Sequence, residues 1–163
     1  MPITSESFRD VLRHFPSGVT VVTIQSPASD VVHGLTVSAF ASVSPEPPLV
    51  LVSIDHRTTA YTLLEAAGAS FAVNILAHDQ MELSNRFAWL KDEDRFQIGD
   101  WTTAVTGAPI LREAVAWLDC TVYSRFAAGT HTIYIGEVQA SGVPRPDVKP
   151  LLYWNRGYRQ MSK

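Results

Sequence analysis

Short hydroxyl side chains recur along the stretch from His33 to Thr59, where they stand among strand-forming residues. Hydroxyls that alternate with apolar side chains offer hydrogen-bond donors and acceptors along one face of a strand, as a ligand groove requires. The same alternation is typical of an ordinary half-buried sheet, and the spacing alone leaves both interpretations open. The hydroxyl residues in this stretch are Thr36, Ser38, Ser42, Ser44, Ser53, Thr58 and Thr59.

A second candidate lies within this stretch at residues 55–59, where an apolar strand is expected to give way to a helix. The first N–H groups of a helix have no intrahelical partner and carry a partial positive charge. With Arg57 and several hydroxyls beside them, they would suit a phosphate group. On these residues alone we favour the simpler alternative, in which Thr58 or Thr59 only caps the helix and Arg57 is a surface side chain.

The signatures of several common enzyme classes are missing from the sequence. It contains no glycine-rich dinucleotide fingerprint, no Walker loop, no His-Glu-x-x-His pair and no Gly-x-Ser-x-Gly elbow. Cys120 is the only cysteine, so it cannot form an intrachain disulfide, a cysteine zinc cluster or a redox pair. We interpret Cys120 as a core residue and predict no metal site.

Composition excludes two classes of partner and bounds the size of the fold. The 163 residues predict one domain spanning residues 1–163. The net charge is −3 and the thirteen Lys and Arg residues are scattered, which argues against nucleic acid. No apolar run approaches the ~18 residues of a membrane span and no signal peptide is evident, so we expect a cytoplasmic protein. The low charged fraction of 18% favours a homodimer that buries part of its surface.

Local patterns in the first half of the chain predict one helix and several strands. Apolar residues at helical spacing predict an amphipathic helix over residues 5–15 that ends before Pro16. The β-branched run Val19–Ile24 predicts a strand, and a turn leads from it into a second strand at Val31–Val37. Three prolines then separate a short strand ending near Ser44 from a buried strand at Leu49–Ile54.

The second half of the chain is also predicted to contain both helices and strands. Residues 61–67, closed by Gly68, and Asp79–Phe87 predict helices. Strands are predicted at Ser70–Ile75, Val115–Phe126 and His131–Ala140. The mixed charges of Trp89–Gly99 favour a solvated loop, with the alternative that this segment shapes a cleft. Roughly seven or eight strands and about three helices, without regular strand–helix alternation, indicate a mainly β protein. A mostly antiparallel barrel, closed or partly closed, matches this pattern.

Several segments, taken in order, carry a resemblance that covers nearly the whole chain. They resemble the flavin reductase family, whose fold is an antiparallel, Greek-key-like split β-barrel with a few short flanking helices. The segments are Phe15–Thr23 (FPSGVTVVT), Gly34–Ser44 (GLTVSAFASVS), Pro47–Leu49, Phe71–Leu76 (FAVNIL), Gly129–Val138 (GTHTIYIGEV) and Pro150–Tyr153 (PLLY).

The resemblance implies a homodimeric NAD(P)H:flavin oxidoreductase that reduces FMN or FAD with NADH or NADPH. Such reductases commonly supply reduced flavin to a separate monooxygenase. The resemblance does not say which flavin, which donor or which monooxygenase is used, or whether the flavin is held or exchanged. Two alternatives stay open: a flavin-binding carrier or sensor without reductase turnover, and a split-barrel oxidase that retains its flavin.

The resemblance also implies roles for individual residues. The segment formed by Thr36, Val37, Ser38 and Ala39 would run along the flavin, with Ser42 and Ser44 near the ring. Ser53, Arg57 and Thr59 would hold the phosphate, with Thr58 beside them, and Phe87 and Tyr153 are aromatics for stacking on the flavin or nicotinamide. Arg156 and Arg159 would either meet a phosphate of the nicotinamide cofactor or serve as surface charges.

His131 is the catalytic residue that the resemblance implies, with its ring beside the nicotinamide. The family motif is Gly-Asp-His-x-Ile, and here Thr130 replaces the acid, so no acidic role at this turn is expected. The alternative for His131 is a hairpin residue whose ring covers a strand end. No protein nucleophile is needed, because hydride transfer between nicotinamide and flavin relies on the chemistry of the cofactors.

Overall fold

The computed structural model describes residues 2–162, apart from the side chains of residues 92 and 93. Met1 and Lys163, the ends of the predicted domain, lie outside the described residues. The helices within that range are α1 (Ser5–Leu12), α2 (Thr59–Leu64), α3 (Met81–Trp89) and α4 (Asp92–Arg95). The strands are β1 (Ser17–Gly18), β2 (Thr20–Ser26), β3 (Ser29–Val37), β4 (Phe40–Pro45), β5 (Pro48–Asp55), β6 (Ser70–Ile75), β7 (Trp101–Thr102), β8 (Ile110–Leu111), β9 (Ala116–Ala128), β10 (His131–Gly142), β11 (Leu152–Trp154) and β12 (Gly157–Arg159).

Seven antiparallel strands form the main sheet, in the order β3-β2-β6-β9-β10-β5-β4. The two edge strands of this order, β3 and β4, follow each other directly in the chain and are joined only by residues 38 and 39. Two residues span less than about 11 Å of extended chain, so the sheet must curl until its edges approach each other. The result is a barrel that is open along the boundary between β3 and β4.

Strand β5 buries one face, as the alternation of its apolar residues predicts. Along β5, the buried residues Val50, Val52 and Ile54 alternate with half-buried residues on the opposite face. The buried faces of the sheet and α2 meet in one apolar cluster, whose largest side chains include Phe71 and Tyr134. The outer face of β5 is therefore left for Ser53 and Asp55, which are half-buried.

Most predicted elements are confirmed, with altered ends. The long predicted strands are present as β2, β3, β5, β6, β9 and β10, and the additional strands are short pieces of two or three residues. Helix α1 ends at Leu12, three residues before the predicted end, and none of its residues is buried. Cys120 is fully buried, as predicted.

The favoured interpretation of Trp89–Gly99 as a solvated loop is wrong. This segment contains the end of α3 and the short helix α4. Phe96 and Ile98 then pack against a second apolar cluster that includes Phe87 and Leu111. These two apolar side chains draw the segment back onto the barrel.

No helix among the described residues has the length and apolar character needed to cross a membrane.

Candidate functional site

Three cavities lie end to end along residues 33–40, which form the end of β3 and the start of β4. The basic lobe has a volume of 580 Å³, the central lobe 300 Å³ and the outer lobe 340 Å³. Thr36 and Ala88 line both the basic and the central lobe, and Ser38 lines both the central and the outer lobe. The hydroxyl-rich segment singled out in the sequence therefore forms one wall of a continuous groove.

The basic lobe brings together three cations from separate parts of the chain: Arg57, Lys91 and Arg95. No Asp or Glu is among the described residues that line it, and its cationic side chains would attract an anion. Its lining residues are His33, Leu35, Thr36, Arg57, Thr58, Thr59, Phe87, Ala88, Leu90, Lys91 and Arg95.

The central lobe lies between α3 and the hairpin of β11 and β12. The Tyr158 hydroxyl is 2.8 Å from Ser84 Oγ and donates to Asn85 Oδ1 at 2.9 Å, which fixes the hairpin against the helix. Thr36 Oγ1 donates to the Ser84 carbonyl oxygen at 2.6 Å and fixes β3 to the same helix. The lobe is lined by Val19, Thr36, Ser38, Ser84, Asn85, Ala88, Trp89, Tyr153, Arg156, Gly157 and Tyr158.

The turn at residues 55–58 connects β5 to α2 and supplies one side of the basic lobe. Thr58 is the N-cap of α2: its hydroxyl accepts from Tyr61 N at 3.3 Å and donates to the Asp55 carbonyl oxygen at 2.8 Å. Asp55 Oδ1 accepts from Arg57 N at 2.9 Å, which closes the turn. Thr59 is exposed at the start of the helix, so Thr58 is the residue that caps it.

The side chains of Asp55 and Arg57 form a two-pronged ion pair. Arg57 Nη2 lies 2.6 Å from Asp55 Oδ2, and Arg57 Nε lies 3.1 Å from Oδ1. The hydrogen bond from Arg57 holds the pKa of the Asp55 carboxyl well below its usual range, and the same bond raises the pKa of the Arg57 guanidinium. Both groups are therefore charged at neutral pH.

His131 is directly opposite Asp55 in the register of β10 with β5, and Ile133 is opposite Ser53. Opposite residues in antiparallel strands point to the same face, so Ser53, Asp55 and His131 share the outer face of the barrel. The His131 ring is half-buried, and its Nδ1 lies 3.0 Å from Thr130 Oγ1. The predicted catalytic histidine thus stands beside the turn that lines the basic lobe.

Comparison with known protein families identifies the family of this chain. The sequence pattern of the flavin reductase like domain matches residues 12–162. The chain belongs to the flavin reductase family. This finding confirms the resemblance seen in the sequence.

Relatives in the flavin reductase family match the chain over most of their length. A flavin reductase of Pseudomonas putida is 39% identical over 156 residues, which cover 96% of this chain and 89% of the relative. The reductase component of an FADH(2)-dependent resorcinol hydroxylase from a Rhizobium species is 38% identical over 154 residues, covering 94% and 85% of the two chains.

A solved structure of the family agrees with the fold. The NADH:FAD oxidoreductase of Streptomyces globisporus C-1027, in complex with NAD and FAD fragments, superposes with a TM-score of 0.88 at 31% identity. The match covers 99% of this chain and 98% of that chain. The split-barrel fold is therefore confirmed.

The groove has groups whose chemistry suits a flavin. Three cations line the basic lobe and suit a phosphate or pyrophosphate, because guanidinium and ammonium groups bind such anions through charge-assisted hydrogen bonds. The central lobe combines Thr36, Ser38 and Asn85 with the aromatic residues Trp89 and Tyr153, as a sugar-like chain and a flat ring require. No cluster of three or more His, Cys, Asp or Glu among the described residues could hold a metal.

The groove includes some of the predicted cofactor-binding residues and not others. Thr36, Ser38, Arg57, Thr58, Thr59 and Tyr153 line its lobes. Ser42 and Ser44 on β4 are not among the described residues that line the three lobes, and Ser44 Oγ accepts from Glu46 N at 3.2 Å. Ala39 is exposed, and its carbonyl oxygen accepts from Ser53 N at 3.0 Å.

Val37 and Phe87 are buried and face the core. The Val37 side chain packs in the main apolar cluster, so only its backbone is left for a flavin. The Phe87 ring is fully buried and packs edge-to-face on Phe96, with ring centroids 5.0 Å apart. Phe87 therefore forms the floor beneath the basic lobe, and its buried ring is not available for the predicted stacking.

The sequence prediction did not identify Lys91 and Arg95 as groove residues. Both stand in the segment that was predicted to be a solvated loop, whereas Arg95 Nη1 donates to the Gly34 carbonyl oxygen on β3. Phe96 and Ile98, which follow the charged run, were the signal that this segment returns to the barrel. Asn85 and Tyr158 carried no comparable local signal, because the fold of the C-terminal hairpin brings them together.

Proposed function

We propose that the protein is an NAD(P)H-dependent flavin reductase that transfers hydride from NADH or NADPH to FMN or FAD. The observation that carries this proposal is the continuous groove of a flavin reductase family member, with three cations at one end and hydroxyl and aromatic groups beyond them. The names of its relatives include the reductase component of a flavin-dependent hydroxylase. We therefore propose that this protein, too, supplies reduced flavin to a separate monooxygenase.

The phosphate of the flavin is proposed to bind in the basic lobe. Arg57, Lys91 and Arg95 would contact the phosphate oxygens, and the Thr59 hydroxyl, which stands at the exposed start of α2, would complete the set. Ser53 is proposed to support this end from the outer face of β5. The cluster of guanidinium and ammonium donors at this end of the groove supports this orientation of the ligand.

The remainder of the flavin is proposed to follow Thr36, Ser38 and Ala39 into the central lobe, with Ser42 and Ser44 near the ring. The Thr36 hydroxyl uses its proton on the Ser84 carbonyl oxygen, so it would accept rather than donate toward the ligand. Tyr153 supplies an exposed aromatic face at the far wall of the central lobe.

The flavin, when bound, supplies the hydride-accepting chemistry, and the chain supplies binding, orientation and the exclusion of water. His131 is proposed to orient the nicotinamide from the outer face of β10. Thr130 Oγ1 lies 3.0 Å from one ring nitrogen of His131, which fixes the ring and leaves its other nitrogen toward solvent or ligand.

Catalytic turnover separates this function from its alternatives. Purified protein is mixed with NADH or NADPH and excess FMN or FAD, and the loss of the nucleotide's absorbance is followed. Multiple turnovers support the reductase, whereas no loss with any pair of flavin and nucleotide would refute it and leave a carrier or sensor. Flavin that stays bound during gel filtration while a small molecule is consumed would indicate the oxidase.

The proposed phosphate contact of Arg57 has its own test. Arg57→Ala should weaken FMN binding about three- to tenfold, because one charge-assisted contact is lost at an exposed site. Riboflavin, which lacks the phosphate, should bind both proteins equally. Arg112→Ala is the matched control, since Arg112 is also an exposed arginine that pairs with an acid, Asp100, and it is not among the described lining residues. Equal FMN affinity of Arg57→Ala and wild type would contradict the assignment.

The role of His131 can be tested by steady-state kinetics. His131→Ala should lower kcat and raise the KM for NADH, so that kcat/KM falls about tenfold, because misorientation of the donor slows hydride transfer. His78→Ala is the control, since His78 lies outside the described lining of the groove. Unchanged kcat and KM in His131→Ala would make this histidine structural.

A homodimer is proposed from the apolar surface that one chain leaves exposed. Val11 and Phe15, at and after the end of α1, are 69% and 77% exposed, and Phe8 and Leu12 beside them are half exposed. A continuous apolar face of this kind is rarely left in water, and a second copy would cover it. Sedimentation analysis should give a dimer, and Val11→Lys should shift it toward monomer. A wild-type monomer at micromolar concentration would refute the proposal.

We also propose that residues 1–163 form one domain and that the protein works in the cytoplasm, where NADH and NADPH are available. Limited proteolysis should leave a single resistant fragment close to full length, and cell fractionation should recover the protein with cytoplasmic markers. Two separable fragments, or recovery with the membrane fraction, would contradict these two proposals.

A further inference from the structure

Asp55 is an acid placed against the cation that the proposed phosphate site needs. It stands at the end of β5, and its carboxylate accepts hydrogen bonds from three nitrogen atoms of Arg57. Arg57 N donates to Oδ1 at 2.9 Å, Arg57 Nε to Oδ1 at 3.1 Å and to Oδ2 at 3.2 Å, and Arg57 Nη2 to Oδ2 at 2.6 Å. The edge of the guanidinium formed by Nε and Nη2 is therefore occupied.

That edge is one of the two through which arginine binds phosphate in a two-pronged manner, and it is closed to a phosphate while Asp55 holds it. The Arg57 side chain is 90% exposed, so apart from Asp55 little holds it in place and it is free to turn toward the basic lobe. Arg57 is paired with the Asp55 carboxylate, and Asp55 is not itself among the described residues that line the basic lobe. Asp55 thus neutralises Arg57 without entering the cavity.

Asp55 keeps one hydrogen bond when the Arg57 side chain leaves. The Arg57 N–H still donates to Oδ1, since this bond belongs to the turn and not to the side chain. His131 faces Asp55 from β10, and the His56 ring lies in the same turn, 2.9 Å from Thr132 Oγ1 through Nε2. The carboxylate is 20% exposed in its side chain and also reaches water, so the departure of the guanidinium does not strand a buried charge.

We propose that Asp55 competes with the flavin phosphate for Arg57, so that the phosphate is held weakly and the flavin exchanges readily. This inference rests on the proposed function, in which the basic lobe binds the flavin phosphate. Exchange is what a reductase needs when its reduced flavin is used by another protein. Asp55 acts here through Arg57 and is a positioning residue, with no contact of its own to the ligand.

Asp55→Asn removes the negative charge of the side chain and keeps its size and shape. The amide oxygen of Asn still accepts from Arg57 N, so the turn is kept, while the ion pair with the guanidinium is lost. We expect Asp55→Asn to bind FMN about two- to fivefold more tightly than wild type and to release it more slowly, because exposed ion pairs of this kind are weak competitors. Riboflavin affinity should not change.

A double-variant cycle identifies the route of the effect. In an Arg57→Ala background, Asp55→Asn should leave FMN affinity unchanged, because the residue for which the two anions compete is absent. Asp100→Asn is the matched control, since it removes an exposed acid that pairs with Arg112 away from the groove. Equal tightening by Asp55→Asn with and without Arg57 would overturn the proposal in favour of direct repulsion between Asp55 and the phosphate.

Two further outcomes also refute the competition. Weaker FMN binding by Asp55→Asn would mean that Asp55 holds Arg57 in its binding position, and unchanged binding would mean that the ion pair has no part in exchange. Fluorescence titration measures the FMN affinity and stopped-flow mixing measures the rate of FMN release. Neither measurement depends on NADH. Failure of the proposed function is seen separately, as the absence of NADH turnover by the wild-type protein.

Discussion

Replacement of Gly34 by Ala should disturb the floor of the groove through packing alone. Gly34 lies on β3 beneath the basic lobe, with an ordinary strand conformation that any residue adopts. A Cβ added to it would lie 2.7 Å from Phe87 Cε1 and 3.0 Å from Phe87 Cδ1. Real carbon atoms do not approach this closely, so the Phe87 ring or strand β3 must move.

The Phe87 ring has little room to move. It is fully buried, and the rings of Phe96 and Trp101 lie 5.0 Å and 5.4 Å from it, centroid to centroid. An added methyl group in a packed core of this kind typically costs about 1–3 kcal/mol of unfolding free energy. For a chain of this length the melting temperature should fall by about 2–12 °C.

The same displacement should reach the cation at the wall of the basic lobe. The Gly34 carbonyl oxygen accepts a hydrogen bond from Arg95 Nη1, so movement of β3 changes the position of that guanidinium. We therefore expect Gly34→Ala to weaken FMN binding as well as to lower stability, in contrast to a purely global loss of stability.

Urea denaturation at fixed protein concentration measures the effect, with FMN titration beside it. Gly18→Ala is the matched control for the stability measurement, because Gly18 is also in a strand and an added Cβ meets nothing within 4 Å. Phe87→Leu should relieve the crowding, so that Gly34→Ala costs less stability in that background than in wild type. Equal stability of Gly34→Ala and wild type, or strictly additive effects of the two changes, would refute the packing argument.

The remaining predictions concern the buried polar groups of β9. The buried Asp119 carboxylate accepts hydrogen bonds from Val105 N and Thr106 N at 2.8 and 2.9 Å and so holds that loop. Asp119→Ala should therefore lower the free energy of unfolding, measured by urea denaturation, by about 1–3 kcal/mol. An unchanged denaturation midpoint would contradict this prediction. Burial raises the pKa of the Cys120 thiol from 9.0 to about 12, so its contribution to stability is complete below pH 9 and is lost as the pH rises toward 12. Unfolding free energy measured from pH 8 to 11 should therefore fall less steeply in Cys120→Ala, and parallel curves for the two proteins would refute the assignment. Native Cys120 should also resist alkylation at pH 8 and react once the protein is unfolded.

Much of the fold follows from local residue patterns. The β-branched run of β2 and the alternation along β5 predict strands because they suit a pleated surface, whatever the strands pair with. The start of α2 was predictable for the same reason, since a Thr hydroxyl caps the first N–H groups of a helix within its own turn. These features depend on neighbours in the chain.

The residues that make the groove a binding site depend on distant parts of the chain. Lys91 and Arg95 reach the basic lobe because Phe96 and Ile98 fold their segment onto the barrel, and the charges alone were typical of a solvated loop. Phe87 shows the opposite error, since an aromatic near a predicted groove was expected at its surface and is buried in its floor. Neither position can be read from spacing, because burial is decided by which elements pack together.

The sequence by itself determined the hydroxyl-rich segment at residues 33–59, the helix start at its end and the family to which the chain belongs. Only the tertiary structure decided that Asp55 faces both Arg57 and His131, because the last of these contacts depends on the register of β5 with β10. A shift of one residue in that register would turn His131 to the other face of the sheet. The pairing of strands far apart in the chain thus brings the proposed phosphate-binding arginine, its proposed competing acid and the proposed catalytic histidine to one edge of the barrel.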